Sequence, residues 1–292
     1  MQKKDLKIIV PAKDCRYLVP GHPEGPHRLE ATYQVLRSRY VPEAFVEPIM
    51  AEEADVLAVH SKDLFERVRR EEELDGDTPG VPGVFQAALL SAGAGIQAAE
   101  TVLKGTPRAF VCIRPPGHHA TPERGMGFCY FNSIAIAAFA AVARGQADRV
   151  AVIDIDCHHG NGTEDCFRGR NHLLYVSLHQ SPCYPGTGLS SSDQCLNFPL
   201  PPGTEAGEYR EALSRGLAAV RKFRPDLVGI SAGFDTYVKD PLTQFGLKNE
   251  DYRDIGKDIS EGVDAPQFAF LEGGYHEDLP YLVANFLSGW TD

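Results

Sequence analysis

Five short apolar runs, at residues 109–113, 150–153, 173–176, 227–230 and 267–271, are interleaved with helical patterns at 132–144, 206–223, 249–261 and 278–289. Runs this short and this rich in β-branched residues are strands buried on both faces. Strands that alternate with helices pair in parallel, because each return crossing needs a helix-length connection. The pattern predicts an α/β fold with a central, mostly parallel sheet flanked by helices in three layers. Leu6 to Val10 adds a first strand, and a helix behind Pro26 runs to about Tyr40 with Leu29, Tyr33 and Leu36 on one face. Residues 51–73 hold two short helices around His60-Ser61, and Val84 to Lys104 is a long helix so rich in Ala and Gly that it must pack closely against the sheet. No repeat, low-complexity tract or linker interrupts the chain, so residues 1–292 are expected to form one domain.

With 43% hydrophobic and 24% charged residues the composition is that of an ordinary globular protein. No apolar run approaches the ~20 residues that span a bilayer. The start MQKKDLKIIVPAKD carries no signal-peptide core, so a cytoplasmic protein without a membrane partner is expected. A formal charge of −11 argues against a nucleic-acid partner and permits cationic substrates such as lysine-rich peptides or polyamines. The seven cysteines, at 15, 112, 129, 157, 166, 183 and 195, are odd in number and lack a C-x-x-C pair. They suggest neither a disulfide framework nor a thiolate zinc site. No heptad or dimerisation tract is present, which leaves the oligomeric state open.

In open α/β sheets ligands bind beyond the carboxyl ends of the strands. The chain places its chemistry there. Val150 to Gly162 reads VAVIDIDCHHGNG, a buried strand running into two carboxylates and two imidazoles. Asp156 and His158 are two apart, so in an extended chain both point the same way. Asp235, after the 227–230 strand, supplies a third ligand. Two carboxylates and one imidazole with an open position suit a catalytic Zn2+, and equally Fe2+, Co2+ or Mn2+. A lone histidine after a strand is more often a satisfied core residue. The pair His118-His119 behind Pro-Pro-Gly, facing a metal site, instead offers a general base and a general acid. Tyr275, after Gly273-Gly274, offers a phenolic donor for a developing oxyanion.

The segments PPGHHA, GFCYFN, DIDCHHGNGTED, YPGTG, SAGFDT and LEGGYH, in this order, resemble the zinc-dependent histone deacetylase and acetylpolyamine amidohydrolase superfamily, with a weaker echo in HPEGPHR. The resemblance runs from about Arg114 to Tyr275 and implies an arginase-like fold. The implied activity is hydrolysis of an N-acetyl amide, on an acetylated lysine peptide or an acetylated small amine such as a polyamine. It implies Asp156, His158 and Asp235 as zinc ligands, His118 and His119 as the acid–base pair, and Tyr275 as the group polarising the carbonyl. Asp154 matches the residue that orients the first histidine, and Asn161 the one behind the second. A structural K+ is implied at Asp154, Asp156, His158, Ser177 and Leu178. Gly127, Phe128, Tyr184 and Leu242 match substrate-channel positions. In the implied scheme the metal and His119 activate water, the metal and Tyr275 hold the oxyanion, and a histidine protonates the leaving amine.

Asn161 and Glu272 point to the class II-like or bacterial branch, and Leu242 replaces the gatekeeper glutamate of the polyamine-selective eukaryotic enzyme. An arginase-type manganese hydrolase would need a second ligand set about 3.5–4 Å away. An idle acyl-lysine-binding module would be expected to lack a ligand or the tyrosine.

Overall fold

The computed structural model describes residues 6–11 and 17–292; Cys15 and most of the N-terminal segment read for a signal peptide lie outside the described residues. In chain order the elements are β1 (Leu6–Ile9), α1 (His27–Arg39), β2 (Phe45–Val46), α2 (Glu53–Leu57), α3 (Lys62–Arg69), α4 (Val84–Leu103), β3 (Arg108–Val111) and α5 (Ser133–Ala143). There follow β4 (Val150–Asp154), α6 (Asn161–Phe167), β5 (Leu173–Gln180), β6 (Cys195–Leu200), α7 (Ala206–Phe223), β7 (Leu227–Ala232), α8 (Asp251–Gly262), β8 (Gln267–Leu271) and α9 (Leu279–Thr291).

Among the described residues eight strands form one sheet in the order β2-β1-β3-β8-β7-β4-β5-β6, with every neighbouring pair parallel. Both faces are covered, as the unbroken apolar runs require. Val150 and Val152 join Ile96, Ile134 and Ala138 in the core of one face. Ala151 and Ile153 point the other way, to Leu213, Ile255 and Val283. From β4 the chain steps outward through β5 to β6, then returns through β7 and β8. The connections therefore leave β4 and β7 in opposite directions, which opens a crevice at their carboxyl ends.

The sequence pattern stops β5 at residue 176, but the strand continues, fully buried, through Gln180. Its polar tail is satisfied internally: Ser177 Oγ lies 2.9 Å from His179 Nδ1, and Gln180 Oε1 accepts the Gln244 amide at 2.9 Å. Strand β6 escaped the pattern because it is a partly exposed edge carrying Pro199. The helices α1 to α4 fall where the periodicity put them.

Of the two glycines of α4, Gly95 lies against α5 and Phe270 of β8 as the expected sheet packing requires, whereas Gly93 meets the segment before α2. The Ala51 amide donates to Leu89 O of α4 at 3.0 Å, and a Cβ on Gly93 would overlap the backbone of Ile49 and Ala51. Backbone cannot retreat as a flexible side chain can. Gly93→Ala is expected to cost about 1–3 kcal/mol, the range for overpacking a core. Thermal unfolding should show a midpoint several degrees lower; an unchanged midpoint contradicts the tight fit.

Candidate active site

The four central strands of the sheet, β3, β8, β7 and β4, each deliver part of one cluster at their carboxyl ends. Asp156 and His158 follow β4, and Asp235 follows β7. His158 Nδ1 lies 2.8 Å from Asp235 Oδ2 and 3.2 Å from Asp156 Oδ1. One ligand atom from each residue lies within 4.8 Å of the others. Asp156 and His158 do meet, but not through an extended chain. The strand ends at Asp154, and the two side chains converge because the chain bends, with the His158 amide donating to Asp156 Oδ1 at 2.9 Å.

The carboxylates are held by backbone on their far sides. Asp156 Oδ2 accepts the Gly273 amide at 2.8 Å, and Asp235 Oδ1 accepts the Cys157 amide at 2.8 Å. Thr243 Oγ1 donates to the Asp235 carbonyl. Burial and the neighbouring Asp156 push the Asp235 carboxyl up to about 7. Burial also opposes ionisation of Asp156, but His118 and His158 outweigh it and hold this carboxyl below the usual range. Two buried carboxylates around a single imidazole leave negative charge in excess. A divalent cation would balance it, and the hard oxygens and one nitrogen suit such an ion.

Behind β3 stand the tandem histidines, both buried, with ring centroids 4.0 Å apart. His118 Nδ1 lies 3.0 Å from Asp154 Oδ2, and His119 Nδ1 lies 2.8 Å from Asn161 Oδ1. The second contact fixes a tautomer: an amide oxygen accepts, so Nδ1 carries the proton and Nε2 the lone pair. Asn161 turns its NH2 the other way, to His119 O and Met126 Sδ, each at 3.5 Å.

Electrostatics separates the pair. Burial would lower His118, but Asp156 and Asp154 outweigh it and raise it to about 10. Burial and the cationic neighbours His118 and His158 hold His119 well below its ordinary value. A cation bound by Asp156 and Asp235 would offset part of the His118 shift, while Asp154 keeps its hold on Nδ1.

Tyr275 follows β8. Its amide donates to Asp240 Oδ2 at 2.8 Å, and the Arg28 guanidinium carbon lies 4.8 Å from the ring centroid. A cavity of about 350 Å3 opens over the cluster. His118, His119, His158, Tyr275, Gly127, Phe128, Tyr184 and Leu242 all border it, so the channel candidates meet the catalytic ones. Phe128 packs edge-on to Tyr275 at 5.7 Å, and Tyr184 edge-on to His119 at 5.1 Å. Asp154 and Asn161 stand behind the histidines rather than on the cavity wall. Ser177 pairs in register with Asp154 across β4 and β5, and Leu178 follows it; both are buried away from the cavity.

Sequence reasoning missed the supports. Arg28 Nη2 and Nε donate to the carbonyls of Glu272 and Gly274, at 2.6 and 2.7 Å, and so hold the turn before Tyr275. Glu24 pairs with Arg28 at 3.1 Å and with Arg114 at 2.5 and 2.6 Å. Glu272 Oε2 accepts the amides of Gly117 and His118, and its Oε1 accepts from Ser231 Oγ. His22 and Asp77 border the cavity as well. The HPEGPHR echo was the one signal for the first group; Asp77 sits in the run DGDTPG at 75–80, whose composition signals a turn and nothing more.

Comparison with known proteins is concordant with this geometry. Residues 22–289 match the histone deacetylase domain. The chain is 38% identical to a probable deacetylase of Archaeoglobus fulgidus, over 90% of this chain and 79% of that one. The crystal structure of the HDA15 HD domain superposes with a TM-score of 0.87 at 29% identity, covering 97% of this chain and 88% of that one. An acetylpolyamine aminohydrolase from Burkholderia pseudomallei superposes with a TM-score of 0.85 at 28% identity, covering 98% of each chain. The chain thus belongs to the histone deacetylase domain family, a family of deacetylases and amidohydrolases.

Proposed function

We propose that the protein is a metal-dependent amidohydrolase, with Zn2+ as first choice and Fe2+ or Co2+ as alternatives, that removes acetyl groups from acetylated lysine side chains or acetylated small amines. The observation that carries the reading is the meeting of the Asp156, His158 and Asp235 cluster with two differently tuned histidines and a phenol around one cavity. When bound, the metal would polarise the acyl oxygen and lower the pKa of an attacking water.

The side chains supply the remaining chemistry. His119, neutral with its lone pair on Nε2, takes the proton of the attacking water. The hydroxyl of Tyr275 donates to the acyl oxygen as charge develops there. Burial holds this phenol protonated against the opposing pull of Arg28, so it can donate. His118, cationic and oriented by Asp154, gives its Nε2 proton to the departing amine. Gly127, Phe128, Tyr184 and Leu242 line the approach, and Asp77 at the cavity favours a substrate bearing positive charge. A structural K+ would be held by Asp154, Asp156, His158, Ser177 and Leu178; the Asp154–Ser177 register supports that placement.

Residues 1–292 then act as one catalytic domain, a reading supported by the continuous sheet of the described residues. No helix among the described residues is long and apolar enough to cross a membrane, which is compatible with a cytoplasmic enzyme.

The test is a turnover screen of metal-loaded protein against acetyl-lysine peptides, acetylputrescine, acetylcadaverine and acetylspermidine. Release of acetate from at least one of them is expected. Metal-loaded protein that cleaves none of them overturns the proposal in favour of a binding module.

A further inference from the structure

His159 stands between two residues with assigned work, His158 and Asn161, yet it takes part in none of the chemistry above. It is 2% exposed and both ring nitrogens are engaged. Nε2 lies 2.8 Å from Glu164 Oε2 on α6, and Nδ1 lies 2.8 Å from Thr187 Oγ1. Glu164 is anchored in turn, since its Oε2 also accepts from Asn197 Nδ2 of β6 at 2.7 Å. The imidazole therefore bridges a fixed carboxylate to the loop that follows β5.

That loop carries Tyr184, whose ring stands 5.1 Å from the His119 ring and forms one wall of the cavity. Tyr184 itself is 39% exposed, and side chains outside its loop reach the loop backbone and hydroxyls at Pro182, Thr187 and Gly188. Behind it the loop lies flat against two imidazoles. His179 Nε2 donates to Gly188 O at 3.1 Å, and a Cβ on Gly188, whose φ is +75°, would come within 2.6 Å of the His159 ring. Only glycine fits there, and the loop is registered against His159 at consecutive residues.

We propose that His159 is a positioning residue for substrate: by clamping Thr187 to Glu164 it sets the distance of the Tyr184 wall from His119, and with it the fit of the acylated amine. The inference rests on the proposed hydrolase reading for its kinetic arm and is independent of it for its structural arm.

Substitution of His159 itself would disturb the adjacent metal ligand, so the test removes the other half of the contact. Thr187→Val deletes the hydroxyl at nearly constant shape, and Thr187→Ser restores it. On the best substrate of the screen, KM should rise by up to about tenfold in Thr187→Val, the upper end for one part-buried hydrogen bond. kcat and metal content should stay near wild type, and Thr187→Ser should recover the wild-type KM. A role in stability alone would lower the melting temperature without this split.

The second arm needs no turnover. Cys183 adjoins Tyr184 and is half-buried, whereas the other described cysteines are buried. Its labelling by a thiol reagent, followed by peptide mapping, should quicken by up to about tenfold in Thr187→Val and not in Thr187→Ser, the same free energy read as loop opening. Labelling unchanged by Thr187→Val, or changed equally by both variants, overturns the clamp even in a protein that hydrolyses nothing. An unchanged KM in an active enzyme overturns its link to substrate.

Discussion

Asp235→Ala is expected to abolish turnover and metal retention together. The carboxylate is fully buried, its Oδ1 is fixed by the Cys157 amide, and its Oδ2 faces His158 Nδ1 at 2.8 Å. No other carboxylate among the described residues joins Asp156 and His158 in a cluster that could replace it. Loss of a partner that merely orients a ligand costs about 10–100-fold in metal affinity, so loss of a direct ligand should exceed 10³-fold or so. Metal analysis after gel filtration should find the variant empty, and its kcat/KM should fall to background.

The stability comparison separates loss of metal from loss of fold. In the metal-free protein Asp235 is a liability, because burial and Asp156 push its carboxyl up to about 7. Removing it relieves that cost but strips the Cys157 amide and His158 Nδ1 of their acceptor, so the metal-free variant should melt lower than the wild type yet still cooperatively. Added metal should raise the melting temperature of the wild type, since a ligand that binds only the native state stabilises it. The variant should show no such rise. A variant that keeps its metal and its activity removes Asp235 from the site.

What the chain disclosed in advance depended on distance along the sequence. Asp154, Asp156, His158 and Asn161 lie within eight positions, so the strand and its loop carry them together and the cluster is visible as text. Asp235 and Tyr275 were reachable because each follows an apolar strand by a few residues, and parallel strands deliver their carboxyl ends to one edge. The contacts that brace these residues follow no such rule. Arg28 reaches the carbonyl of Glu272 across 244 positions, and Arg114 reaches Glu24 across 90. Each is a buried ionic residue whose partner is set by tertiary packing, and local spacing carries no trace of it. The polar end of β5 was hidden for a related reason: Ser177, His179 and Gln180 look like loop residues until their partners are known.

Tyr275→Phe should lower kcat by about 10²–10³ while leaving KM and metal content little changed, the size measured when one oxyanion donor is removed. The substitution is informative because everything except the hydroxyl is held by other means. The backbone amide is fixed to Asp240 Oδ2 at 2.8 Å, the ring face lies under Arg28, and Phe128 packs edge-on at 5.7 Å. A phenyl ring keeps all three contacts, so the variant should melt like the wild type. A donor that acts on the ground state and the transition state equally would raise KM instead, and a structural tyrosine would lower the melting temperature. Asp240 offers the complementary measurement. Its Oδ1 accepts the Leu242 amide at 2.9 Å while Oδ2 holds Tyr275, so one carboxylate ties the phenol to the cavity wall. Asp240→Asn can keep only one of those two bonds without a rearranged amide, and it should lose part of the same kcat with a displaced rather than absent hydroxyl. If Tyr275→Phe retains full kcat while Asp235→Ala is dead, the metal cluster alone stabilises the developing charge and the phenol belongs to the wall.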